Sequence, residues 1–138
     1  MKDELRRQVQ QISDERGLRS CMSGEKWAQL RNAMMSEMPF QPPYLVKFIT
    51  DDLPAGDENE LVSSYHPMPW HEAYVFDNIF DASFALEWVK ICPRYYKHRG
   101  KLIAPEEISA EAELLQILEK YAVAFEKEDG VYTIYGWR

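Results

Sequence analysis

FALEWVKICPRYYKHRGKLI, Phe84–Ile103, is the stretch whose reading decides the fold. Its apolar run from Phe84 to Cys92 stops at Pro93. Within it Val89 and Ile91 alternate with Trp88 and Lys90, the period-two pattern of a half-buried strand. Arg94, Tyr95, Tyr96, Lys97, His98, Arg99, Gly100 and Lys101 follow at once. No other stretch joins a buried strand to so concentrated a set of cations and tyrosines.

Upstream, Tyr74–Ile79 reads as a strand that Asp77, Asn78 and Asp81 can turn. His66-Pro67-Met68-Pro69-Trp70-His71-Glu72 is irregular, because two prolines in three residues exclude ladder pairing. Leu61–Tyr65 fits a short strand or a lone turn, and Asp51–Glu60 is an acidic loop. Tyr44–Thr50 reads as a strand entered through Pro39, Pro42 and Pro43, which stop a preceding helix. That helix starts at the Ser23 cap and runs through Met38, with Trp27, Leu30, Met34 and Met38 on one face. Lys2–Arg16 forms a first helix with a narrow stripe of Leu5, Val9 and Ile12, ended by Gly17. Downstream, Pro105 and Glu106-Glu107 lead into a helix capped by Ser109, whose Leu114, Ile117, Leu118 and Tyr121 give the clearest helical period. Val123–Glu126 and Val131–Tyr135 flank Glu128-Asp129-Gly130, the composition of a hairpin turn.

This order predicts an α+β fold. A mixed sheet carries helices mainly on one face, after two N-terminal helices and before a C-terminal helix and β-hairpin. The step from Phe84 to Phe125 fits a parallel crossover. At 138 residues the chain suits one α+β domain over residues 23–138, with residues 1–22 as a helical extension. A net charge of −7 disfavours nucleic-acid or membrane binding by the whole surface and suits a soluble cytoplasmic protein. MKDELRRQVQQ has no apolar core of a secretory signal, and no run is long enough to span a membrane. Cys21 and Cys92 make neither a disulfide framework nor a zinc spacing.

The basic stretch supports two readings. Arg94, Tyr96, Lys97, His98 and Arg99 suit phosphate and stacked bases. Alternatively, Glu106, Glu107, Glu111 and Glu113 just downstream can pair these cations internally. His66 and His71 with Glu72 lack a spacing that fixes a metal site, so neither metal nor cofactor is expected. Cys92 near His98 lacks a third, orienting group, so no catalytic residue is assigned.

Lys26-Trp27-Ala28-Gln29-Leu30, Phe80–Pro93 and Gly130–Trp137 together resemble a group of small uncharacterised bacterial proteins, over about residues 24–138. The resemblance implies a single bacterial domain and no established active site. Two functions follow from the residues. The first is a non-catalytic protein-binding module, similar in type to bacterial immunity proteins that block a basic toxin. Asp51, Asp52, Asp57 and Glu58 would steer that basic partner, and Trp70 and His71 would contact it. The alternative is a nucleotide or single-stranded nucleic-acid handling protein using residues 94–101. A homo-oligomer through the stripe of the first helix is a further expectation.

Overall fold

The computed structural model describes residues 2–50, 83–97 and 99–138. The acidic loop Asp51–Glu60, the strands expected at Leu61–Tyr65 and Tyr74–Ile79, and the proline-held segment His66–Glu72 lie outside the described residues.

Helix α1 (Lys2–Arg16) ends as its sequence dictates. Gly17 takes φ +68°, Leu18 N–H donates to the Ser13 carbonyl at 2.8 Å, and Gly17 N–H to that of Asp14 at 3.3 Å, a Schellman closure. Val9 is buried with Ile49 and Ala85, and Leu5, Ile12, Phe84 and Trp137 pack around them. The narrow stripe of α1 is thus docked at one end of the sheet. Helix α2 (Gly24–Ser36) begins where Ser23 Oγ accepts from Lys26 N–H at 3.1 Å. It stops two residues short of the expected Met38, which is nonetheless buried in the core.

The main sheet has the order β1-β2-β6-β5, made of Tyr44–Phe48, Leu86–Ile91, Val131–Tyr135 and Glu126–Glu128. Every ladder among the described residues is antiparallel. Val46 pairs with Val89 and Val89 with Ile134, so these side chains share one face. Onto that face pack Trp27, Leu30 and Met34 of α2, with Leu114, Ile117 and Leu118 of α3 (Glu111–Lys120). Each large side chain buried there contributes about 1.5–3 kcal/mol. The opposite face holds a smaller cluster of Leu45, Cys92 and Val131. The fold is α+β, with two N-terminal helices, a C-terminal helix and a closing hairpin.

Several boundaries differ from the sequence reading, for physical reasons. Residues Ser83–Ala85 form a short 3₁₀ turn, and the strand begins only at Leu86. Lys47 pairs with Trp88 while Phe48 pairs with Leu86, so Glu87 is the extra residue of a β-bulge. Its carbonyl accepts from both Gly136 and Trp137 N–H, at 2.8 and 3.2 Å. The basic stretch is itself a strand, β3 (Arg94–Lys97), paired with β4 (Glu106–Ser109) in a separate two-stranded sheet. Glu106-Glu107 therefore belong to a strand and not to a helix entry, because Arg94 and Lys97 across the hairpin offer them opposite charge. Ala110 takes the cap position of α3, while Ser109 Oγ accepts only from Glu111 N–H at 3.3 Å. The expected crossover becomes a longer path: β2 and β5 run the same way, with β6 between them. The penultimate strand begins at Glu126 and not Val123, and Asp129 and Gly130 both take positive φ in its two-residue turn.

Candidate protein-docking site

Arg94 leads the basic stretch, and its guanidinium points inward. It donates from Nη1 to the Gly130 carbonyl at 2.8 Å and pairs from Nη2 with Glu111 at 3.2 Å and from Nε with Glu107 at 3.3 Å. This side chain locks β3 to α3 and to the closing turn, and has no fork left to offer a phosphate. Arg94, expected from the sequence in a phosphate set, thus has internal partners on all three guanidinium nitrogens. Internal pairing was the competing sequence reading, and for Arg94 it holds.

Among the other described members of the stretch, Tyr96, Lys97, Arg99 and Lys101 are exposed. Tyr95 packs edge-on against Phe40 with ring centroids 4.9 Å apart, whereas Tyr96 and Lys97 are exposed. Arg99 donates from Nε and Nη2 to the Ala104 carbonyl at 3.0 and 2.8 Å, closing the hairpin loop on itself. Above that clamp Leu102 is 100% exposed and Ile103 56%. The loop thus presents two aliphatic side chains flanked by Lys97, Arg99 and Lys101. His98 lies outside the described residues, as do Asp51, Asp52, Asp57, Glu58, Trp70 and His71. Cys92 is buried, and burial pushes its thiol above the ordinary range despite the nearby Arg94. A nucleophile wants the opposite shift.

A second surface was not singled out by sequence reading. Leu115, Leu118, Glu119, Ala122, Val123, Ala124 and Phe125 line an open groove of about 580 Å³. Leu115 sits one residue off the buried stripe of α3 and is 38% exposed; Phe125 is 39% exposed. Ala122 forms the floor of the turn at φ +53°, where Val123 N–H reaches the Leu118 carbonyl at 2.8 Å. A smaller hollow of about 100 Å³ continues past Ala124 and Phe125 to Cys21, Met22, Tyr135 and Arg138. Leu115 falls outside the i, i+3, i+4 stripe of Leu114, Ile117 and Leu118, and that was the available signal.

Glu119 lines the groove, and Lys26 Nζ donates to the Ala122 carbonyl in its wall at 2.8 Å. Glu126, Glu128 and Asp129 run along β5 away from it, toward the turn whose Gly130 carbonyl Arg94 binds. The lysines among them are turned to internal partners: Lys120 Nζ to Glu37 at 3.0 Å, Lys127 Nζ to Glu111 at 2.6 Å. Glu126 pairs with Arg138. Glu119, Glu128 and Asp129 make no ion pair among the described residues.

The chain belongs to a family of unknown function, DUF6678, whose model matches residues 9–138. That match agrees with the resemblance to small uncharacterised proteins carried by residues 24–138. Neither the curated proteins nor the solved structures yield a match. Among the described residues, no helix is long and apolar enough to cross a membrane, and no cluster of His, Cys, Asp and Glu could hold a metal ion.

Proposed function

We propose that this chain is a non-catalytic protein-binding module that engages a basic partner, in the manner of a toxin-neutralising immunity protein. The observation that carries the reading is the apolar groove along the end of α3, with Leu115 and Phe125 partly exposed and Glu119 in its wall. Partly exposed aromatic and aliphatic anchors inside a charged rim are what a protein hot spot requires. The net charge of −7, to which Asp51, Asp52, Asp57 and Glu58 add, speeds encounter with a cationic surface. Such a partner brings aliphatic side chains to the groove and a cation to Glu119.

The test is capture at low salt with the wild-type chain and with Leu115→Glu/Phe125→Glu, followed by binding of the purified candidate. The reading requires a basic protein that binds one-to-one, is released by salt and is lost with the groove variant. Equal capture by both chains would refute it.

The exposed Tyr96 beside Lys97 supports the second reading, binding of a single-stranded nucleic acid by the hairpin. With Arg94 held internally, that reading rests on Tyr96, Lys97, His98 and Arg99. Unchanged retention of a labelled single strand by a folded Lys97→Ala/Arg99→Ala chain would eliminate it.

A further inference from the structure

We infer that the β3–β4 hairpin is a membrane-contacting arm, whose tip sets Leu102 and Ile103 into the surface of an anionic lipid bilayer. This surface is separate from the groove and goes beyond the protein-docking reading. Residues 98–105 form the loop beyond Lys97 and Glu106, the last ladder pair of the hairpin. Leu102, in the middle of that loop, is fully exposed, and Ile103 is more than half exposed. Leu102 thus has no cover from its own chain. From Arg94 to Pro105 the sequence carries Arg94, Lys97, Arg99 and Lys101 and no Asp or Glu. Arg94 is held by Glu107, Glu111 and the Gly130 carbonyl, whereas Lys97, Arg99 and Lys101 make no ion pair among the described residues. Glu106 stands opposite Lys97 in the ladder, so Arg99 and Lys101 lie past the last acid of the arm.

The arm is graded along its length. Aliphatic side chains lie at the tip and cations flank them. Exposed Tyr96 lies one residue behind Lys97, about 3.3 Å further back. That order matches the layers of an anionic bilayer surface, from the acyl boundary through the phosphates to the headgroup depth where tyrosine collects. A net charge of −7 weighs against such a surface for the molecule as a whole, and the arm separates the two. Arg94 and Lys97 are about 10 Å apart along β3 before the loop begins. That exceeds the Debye length of about 8 Å at physiological salt, so the acids around Arg94 act weakly on the tip. The two hydrogen bonds from Arg99 to the Ala104 carbonyl close the loop on itself, which lowers the ordering cost of contact. Two aliphatic side chains and three cations make a reversible attachment that depends on anionic lipid.

The decisive experiment is co-sedimentation of the full chain with vesicles at physiological salt. One set is phosphatidylcholine alone, and the other contains about one-third phosphatidylglycerol. Wild type is compared with a tip variant, Leu102→Asp/Ile103→Asp, a cation variant, Lys97→Gln/Lys101→Gln, and an uncharged groove variant, Leu115→Gln/Phe125→Gln. Every substituted position is at least a third exposed, and circular dichroism confirms that the variants are folded. Wild type should bind the anionic vesicles at least about 100-fold more tightly than the neutral ones. The tip variant should lose that binding, and the cation variant should weaken it about 30-fold. The groove variant should bind as wild type does.

A wild type that stays in the supernatant with anionic vesicles overturns the inference, as does a folded tip variant that sediments with them equally well. Equal binding to neutral vesicles removes the role of the cations and overturns it too. Loss of binding in the groove variant, with the tip intact, would move the contact away from the arm and sink the inference. Retention of a labelled single strand that depends on Leu102 and Ile103, without vesicle binding, would also overturn it and assign the arm to nucleic acid.

Discussion

Tyr132 Oη donates to Glu111 Oε1 across 2.5 Å, and the same oxygen accepts from Lys127 Nζ at 2.6 Å. The second oxygen faces Arg94. One carboxylate at the start of α3 therefore joins β3, β5 and β6. The hydrogen bonds from Lys127 and Tyr132 outweigh partial burial and hold Glu111 at about 2, down from 4.5. Burial and the same bond to Glu111 raise the Tyr132 phenol.

A carboxyl depressed on folding stabilises the native state above its unfolded pKa and loses that contribution as the pH falls through its folded value. Stability supplied by Glu111 should therefore be complete above about pH 4.5 and drain away toward pH 2. Glu111→Gln should cost roughly 1–3 kcal/mol near neutrality. Its stability should also fall less steeply in that acid window. Denaturant melts of both chains across this range check the sign, and parallel curves would contradict it.

Glu87 predicts a different pattern. Burial opposes its charge, yet hydrogen bonds from Lys47 and Arg16 prevail and hold it below the usual carboxylate range. Lys47 Nζ lies 2.8 Å away with its side chain only 12% exposed, while that of Arg16 is 46% exposed. Glu87→Leu strands the lysine and should cost on the order of 3 kcal/mol. Adding Lys47→Met should recover most of that, whereas Arg16→Ala alone should cost under about 1 kcal/mol. Urea midpoints of the three variants test the ranking.

Gly136→Ala should be the most damaging single-methyl change. A Cβ at Gly136 would fall 2.1 Å from the Leu86 carbonyl oxygen, a backbone atom of the neighbouring strand. The chain can relieve this only by parting β2 from β6 beside the bulge. We expect a loss of more than about 2 kcal/mol, read as a drop in melting temperature with poor yield of folded protein.

Ala122→Gly should act in the opposite direction. Ala122 adopts φ +53° at the position after the α3 cap, where glycine carries no Cβ penalty. The substitution should stabilise by about 0.5–1 kcal/mol, the relief of strain exceeding the added freedom of the unfolded chain. A lowered melting temperature would show that the left-handed turn is not strained in solution.

What the sequence revealed followed local pattern. The period of Leu114, Ile117 and Leu118, the Ser23 cap, the glycine after α1 and the Asp129-Gly130 turn are decided within a few residues, and each lies where it was expected. What escaped depended on partners distant in the chain. Glu106-Glu107 carry the charge of a helix entry, and only pairing with β3 makes them a strand. The bulge at Glu87 lies where its carboxylate meets Lys47 and Arg16, partners far off in the chain. The groove at Leu115 and Phe125 was hidden because an exposed apolar residue is ordinary until its neighbours are known.

The placement of β6 between β2 and β5 has a consequence for biosynthesis. β2 gains its second partner, and β5 its first, only when the strand that follows both in sequence has been made. Until then α2, β1 and β2 emerge with Trp27, Leu30 and Val89 lacking part of their cover. The nascent chain should thus favour late, concerted collapse over stepwise growth of the sheet, and depend most on chaperone protection just before its final strand arrives.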